Sequence, residues 1–204
     1  ARHGARGVAG AAARPPRGGG VQMLEGDAES IAEQIAAVLR ERGVLVSIGH
    51  THADEAQFDA AVAAGADAVG FVIYPPSPRY VSPARAAVLA ARLPPYVTPV
   101  LLFVNESVAH VAAACQLLPH ALLQFHGDET PAECLAHGRP FVRAARIPLQ
   151  APAPGEAGFD LVNYAASFNA AQAILLDAHV EGFGGGGKTF NWSLLPPNVN
   201  AHLV

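Results

Sequence analysis

The chain has 204 residues, 51% of them hydrophobic and 15% charged, with a net charge of −4. That length supports one substantial core and not two ordinary domains. The composition excludes a disordered chain, and the charge argues against a general nucleic-acid binder. Two cysteines, Cys115 and Cys134, are too few for a disulfide framework and suit a reducing compartment, which points to the cytoplasm. No run of about 18 uncharged apolar residues occurs, so no membrane span is expected. The start of the chain also lacks the basic, apolar and small-residue succession of a secretory signal.

Residues 1–26 are rich in Arg, Gly, Ala and Pro and read as a disordered tail. A basic nucleic-acid arm fits less well, because no aromatic is interleaved for base stacking. Over 27–43 the recurrence of Ile31, Ile35 and Leu39 predicts a helix, capped by Asp27 or Ser30 and stopped at Gly43. A β-α rhythm then starts. Strands are expected over 44–48, 68–73, 97–104, 121–125, 141–146 and 171–178, with helices over 54–64, 82–93, 108–117, 130–137 and 159–168. A short helix near Asn191 and the opening of a seventh strand at His202-Leu203-Val204 complete the reading.

The strands are continuous apolar runs, as parallel strands covered on both faces require. Repeated β-α units close either as an open doubly wound sheet or as a (β/α)8 TIM barrel. The barrel is favoured because polar residues recur where strands end: His50, Tyr74, Asn105, His126, Arg146 and Asp177. Barrels carry function at that face. Residues 44–204 then form an incomplete barrel of about six β/α units plus the start of strand seven.

Four motifs stand in register. They are the stretch from Gly70 to Ser82 containing Tyr74-Pro75-Pro76-Ser77-Pro78-Arg79-Tyr80, then Gln124-Phe125-His126-Gly127-Asp128-Glu129, then Leu175-Leu176-Asp177-Ala178, and last the stretch from Gly184 to Trp192 around Lys188. In this order and spacing the chain closely resembles the phosphoribosylanthranilate isomerase family of tryptophan biosynthesis, from about Thr51 to Val204. The resemblance implies an Amadori rearrangement of N-(5-phosphoribosyl)anthranilate, a small-molecule substrate, with no metal or organic cofactor. An acid must protonate the furanose oxygen, and a base must take the C2 proton. Asp177 matches the family's acid, and a carboxyl at the end of an apolar strand is easily held protonated. Arg79 matches the residue that binds the anthranilate carboxylate, a planar pairing suited to guanidinium. Gln124 and His126 fall near the site by resemblance, although a satisfied core histidine is an equally simple reading of His126. Gly186, Gly187 and Lys188 are expected in a glycine loop over the substrate.

The run Gly182–Thr189 also satisfies the P-loop pattern. A P-loop must feed a sustained helix, and Pro196-Pro197 ends any helix within two turns, so a nucleotide site is not expected. The family's strand one carries a Lys-Ile-Cys-Gly run whose cysteine is the base. Here Ile48 stands at that position, in Val46-Ser47-Ile48-Gly49-His50, and it cannot accept a proton. His50 has the same side-chain parity and is the candidate weaker base. Cys115 and Cys134 fall on predicted helices and read as inert apolar residues. His50-Thr51-His52-Ala53-Asp54 also looks like a metal pair, which makes a metal-dependent hydrolase the alternative. A non-catalytic fragment or pseudoenzyme is the third class. With strand-one cysteine and the phosphate loops of strands seven and eight missing from the match, isomerase activity is expected to be impaired in this chain.

Overall fold

A computed structural model describes residues 46–48, 55–150, 152, 158–178, 195–196 and 198–204. The expected tail, the helix over 27–43, His50, His52, the Gly182–Thr189 run with Lys188, and the helix near Asn191 lie outside these residues.

The β-α rhythm is realised as strand β1 (Val46–Ile48), helix α1 (Glu55–Ala63), β2 (Ala68–Val72), α2 (Pro83–Ala90), β3 (Thr98–Phe103), α3 (Val108–Leu117), β4 (Leu122–Phe125), α4 (Pro131–Leu135), β5 (Phe141–Ile147), α5 (Leu161–Ser167) and β6 (Ala173–Ala178). Helix starts follow from local chemistry. Ser82, Ser107 and Asp160 cap α2, α3 and α5 by accepting from the backbone N–H three residues on. Thr130 and Glu133 form a reciprocal capping box on α4, and Pro83 and Pro131 occupy first-turn positions where no N–H is needed.

All strands are parallel and pair in chain order, β1-β2-β3-β4-β5-β6. A doubly wound sheet reverses its strand order at a switch point, whereas a barrel does not. The unbroken order therefore decides for the barrel. Beyond β6, Leu203 bridges Ile174 in parallel, and the Leu176 N–H donates to the Val204 carbonyl at 2.9 Å. The expected seventh strand begins where the sequence placed it.

Alternation along each strand separates two faces. The outer face packs on the helices: Phe71, Leu101, Phe103, Leu123, Phe125, Phe141 and Ile174 are buried against Phe58, Leu89, Val111 and Leu161. Phe103, Phe125 and Phe141 run as a row across β3, β4 and β5, with centroids about 6 Å apart in tilted and edge contacts. The inner face is less covered. Val72, Val100, Ala144 and Ala173 are buried there, while Leu102, Leu122, Val142 and Leu175 are half-buried. Among the described residues, no helix is long and apolar enough to cross a membrane.

Candidate active site

The inner face ends, at the C-terminal edge of the sheet, in a polar cluster. Gln124 and His126 are two residues apart on β4 and its exit, so they share that face. Asp177 comes from β6, where it pairs in register with Arg146 of β5. One residue past the Phe125–Arg143 pair, His126 comes level with Ala144. That small side chain leaves room for the imidazole to reach across β5. His126 Nε2 lies 2.9 Å from Asp177 Oδ2, and the Gln124 amide nitrogen lies 3.4 Å from His126 Nδ1. The His126 side chain is 8% exposed and that of Asp177 13%, so their bond lies in a nearly dry setting. Among the described residues, Asp177 Oδ1 has no hydrogen-bond partner.

The order of these groups fixes a consistent proton arrangement. If Gln124 donates to Nδ1, the imidazole carries its proton on Nε2 and donates it to Asp177. His126 is buried and bonded, as the satisfied-core reading expects, and its partner is Asp177, the candidate acid.

Arg79 is half-buried in the loop after β2, where its backbone N–H donates to Ser77 Oγ at 3.1 Å and Tyr80 bridges Val72. Among the described residues its guanidinium has no hydrogen bond or ion pair. It is separated from the β4–β6 cluster by β3, on the same edge of the sheet. Ile48 ends β1 beside Phe71, with His50 and the glycine loop outside the described residues. Cys115 and Cys134 are unpaired, buried, and carried by helices α3 and α4, as expected. Burial pushes the Cys134 thiol up to about 11 and raises that of Cys115, so neither is an activated nucleophile.

A second polar network lies behind the loop that follows β4. Arg143 of β5 donates through Nη1 to Phe125 O and Glu129 Oε2, each at 2.9 Å, and through Nη2 to Gly127 O at 2.8 Å. Glu129 also accepts from the Asn105 and Gly127 backbone N–H groups at 2.7 and 2.9 Å. Glu129 closes the Gln124–Glu129 motif, whereas no motif points to Arg143. The signal that would have found them is parity: Arg143 shares its face with Phe141, Ala145 and Ile147, the helix-covered side. A cavity of about 440 Å3 adjoins this network, with Asp128, Arg146, Phe159 and Tyr164 in its wall. Its charged groups are already paired, Arg143 with Glu129 and Arg146 with Asp128. The convergent groups of Gln124, His126 and Asp177 make the inner face the better site.

Comparison with known proteins shows the family. The sequence model of a family described as N-(5'phosphoribosyl)anthranilate (PRA) isomerase matches residues 49–204. The chain belongs to the PRA isomerase family. An N-(5'-phosphoribosyl)anthranilate isomerase of Leptothrix cholodnii is 63% identical over 146 residues, covering 72% of this chain and 63% of that protein. One of Methylibium petroleiphilum is 61% identical over 150 residues, covering 74% and 67%. The chain thus spans about two thirds of the length of these curated relatives. Among solved structures, the PRA isomerase of Thermotoga maritima superposes with a TM-score of 0.55 at 34% identity, covering 74% of this chain and 68% of that one. The match agrees with the barrel and covers the stretch from Thr51 onward. The residues before 49 fall outside it.

Proposed function

We propose that this chain catalyses the Amadori rearrangement of N-(5-phosphoribosyl)anthranilate to 1-(2-carboxyphenylamino)-1-deoxyribulose 5-phosphate, in tryptophan biosynthesis. The observation that carries the proposal is the Asp177–His126 bond at the C-terminal edge of a PRA isomerase barrel. Asp177, through Oδ1, gives a proton to the furanose oxygen. The C1–O bond breaks, and the nitrogen lone pair forms the C1=N Schiff base. A base then removes the C2 proton, giving an enaminol. Its collapse to the C2 ketone puts a solvent-derived proton on C1. His126 orients the Asp177 carboxyl and exchanges a proton with it. Gln124 holds the imidazole, and Arg79, unpaired among the described residues, takes the anthranilate carboxylate through two parallel bonds.

His50 is assigned the base role that Ile48 cannot fill, and Gly186, Gly187 and Lys188 are assigned to the phosphate-bearing end of the substrate. Because an imidazole stands in for a strand-one thiolate, turnover is impaired relative to chains that carry the cysteine. The two unpaired buried thiols suit a reducing, cytoplasmic setting. The test is rescue of a tryptophan auxotroph lacking this isomerase by the complete gene product. Growth without tryptophan, lost on Asp177→Asn, supports the assignment. Absence of growth with soluble protein present overturns it.

A further inference from the structure

Arg143 and Glu129 are 4% and 8% exposed, and the proposed chemistry uses neither. A buried ion pair is weak evidence of stability, because apolar side chains of similar volume often do as well. Geometry is what this pair supplies. Its bonds bracket a single residue. Arg143 holds the carbonyl of Phe125, before His126, and that of Gly127, after it. Glu129 holds the N–H of Gly127, and the His126 N–H is fixed on Phe103 O at 2.9 Å. One step further, Asn105 Oδ1 takes the Asp128 N–H at 2.6 Å. The peptide units on both sides of His126 are thereby clamped from the outer face while the imidazole projects from the inner one.

The same guanidinium reaches the strand of Asp177. It lies 5.0 Å from the Phe168 ring centroid and 5.9 Å from that of Tyr164, on and just after α5, the helix that feeds β6. Tyr164 in turn donates to the Ala144 carbonyl at 2.8 Å. One buried charge therefore ties the loop carrying His126 to the segment leading to Asp177.

We propose that Arg143 and Glu129 are positioning residues for the proton-transfer pair: they set the backbone of His126 so that its imidazole meets Asp177, without touching substrate. This rests on the isomerase reading of that pair. Lysine keeps the charge at 143 but not the planar fork that serves acceptors in two directions. In the complete gene product, Arg143→Lys is expected to lower kcat roughly tenfold to a hundredfold with KM changed less than about twofold, as a misplaced group costs. In a His126→Ala background it is expected to lower kcat no further. The 15N pattern of the His126 ring, which reports where its proton sits, is expected to shift from one tautomer to an average in both Arg143→Lys and Glu129→Gln.

An unchanged ring pattern in a variant that merely melts earlier would overturn the proposal. So would equal losses of kcat with and without His126. Failure of both variants to fold would make the pair a determinant of folding and overturn it as well. If the unmodified protein has no turnover, the isomerase reading fails by itself, and the ring pattern still decides the positioning role.

Discussion

Gly127→Ala perturbs the loop that carries His126 at its tightest point. A Cβ on Gly127 would stand 2.7 Å from the Asn105 backbone nitrogen and closer still to the Asn105 side-chain oxygen. A side chain alone can swing aside, but here the backbone is also in the way. Asn105 sits at φ 51°, a left-handed conformation that Asn tolerates, and its amide is bonded to Glu129. Moving it breaks the 2.6 Å bond from Asp128 N–H, worth about 1 kcal/mol, and the 2.7 Å bond to the Glu129 carboxylate, worth about 2 kcal/mol. The expected loss is about 3 kcal/mol, or a melting temperature lower by about 6–12 °C in a domain of this size. Gly138→Ala is the control: Gly138 has φ 60° but nothing near its missing Cβ, so only backbone strain of about 1 kcal/mol applies. Thermal melts of the two variants by circular dichroism check the ranking. A Gly127→Ala protein that melts no lower than Gly138→Ala would refute the close-approach argument.

Three further outcomes are expected. Arg79→Ala should raise KM for the anthranilate-bearing substrate about tenfold to a hundredfold, the worth of a charge-assisted hydrogen bond, with a smaller effect on kcat; steady-state kinetics on the complete protein check it. The Cys134 thiol, held up at about 11, should resist iodoacetamide at pH 8 in the native state and react on unfolding. Because the unfolded thiol loses its proton first, its contribution to stability is present below the unfolded value near 9 and falls as pH rises towards 11. His137, stacked on Phe125 and lowered by burial, gives the opposite limb: the unfolded state takes up a proton first, so stability falls as pH drops below about 6.5. Denaturant melts across pH check both, and a His137→Gln protein should lose the acid limb.

The sequence made the fold legible because parallel strands announce themselves. Runs such as Ala68–Val72 and Thr98–Phe103 are apolar on both faces, and the capping residues Ser82, Ser107 and Thr130 mark where helices begin. His126 and Asp177 were legible as polar endings to those runs. Their juxtaposition was not: His126 and Asp177 are 51 residues apart, and their bond depends on strand register and on the small Ala144 between them. Arg143 was illegible for a different reason. An arginine in a strand reads as a surface residue, and only the three acceptors around it, two backbone carbonyls and the Glu129 carboxylate, explain its burial.

The most direct test of the account is to follow N-(5-phosphoribosyl)anthranilate with the purified complete gene product in D2O by NMR. The account predicts an aminoketose with one deuterium at C1, formed well above the uncatalysed rate, and no such product with Asp177→Asn. Conversion at the uncatalysed rate, or conversion that Asp177→Asn leaves intact, would contradict it.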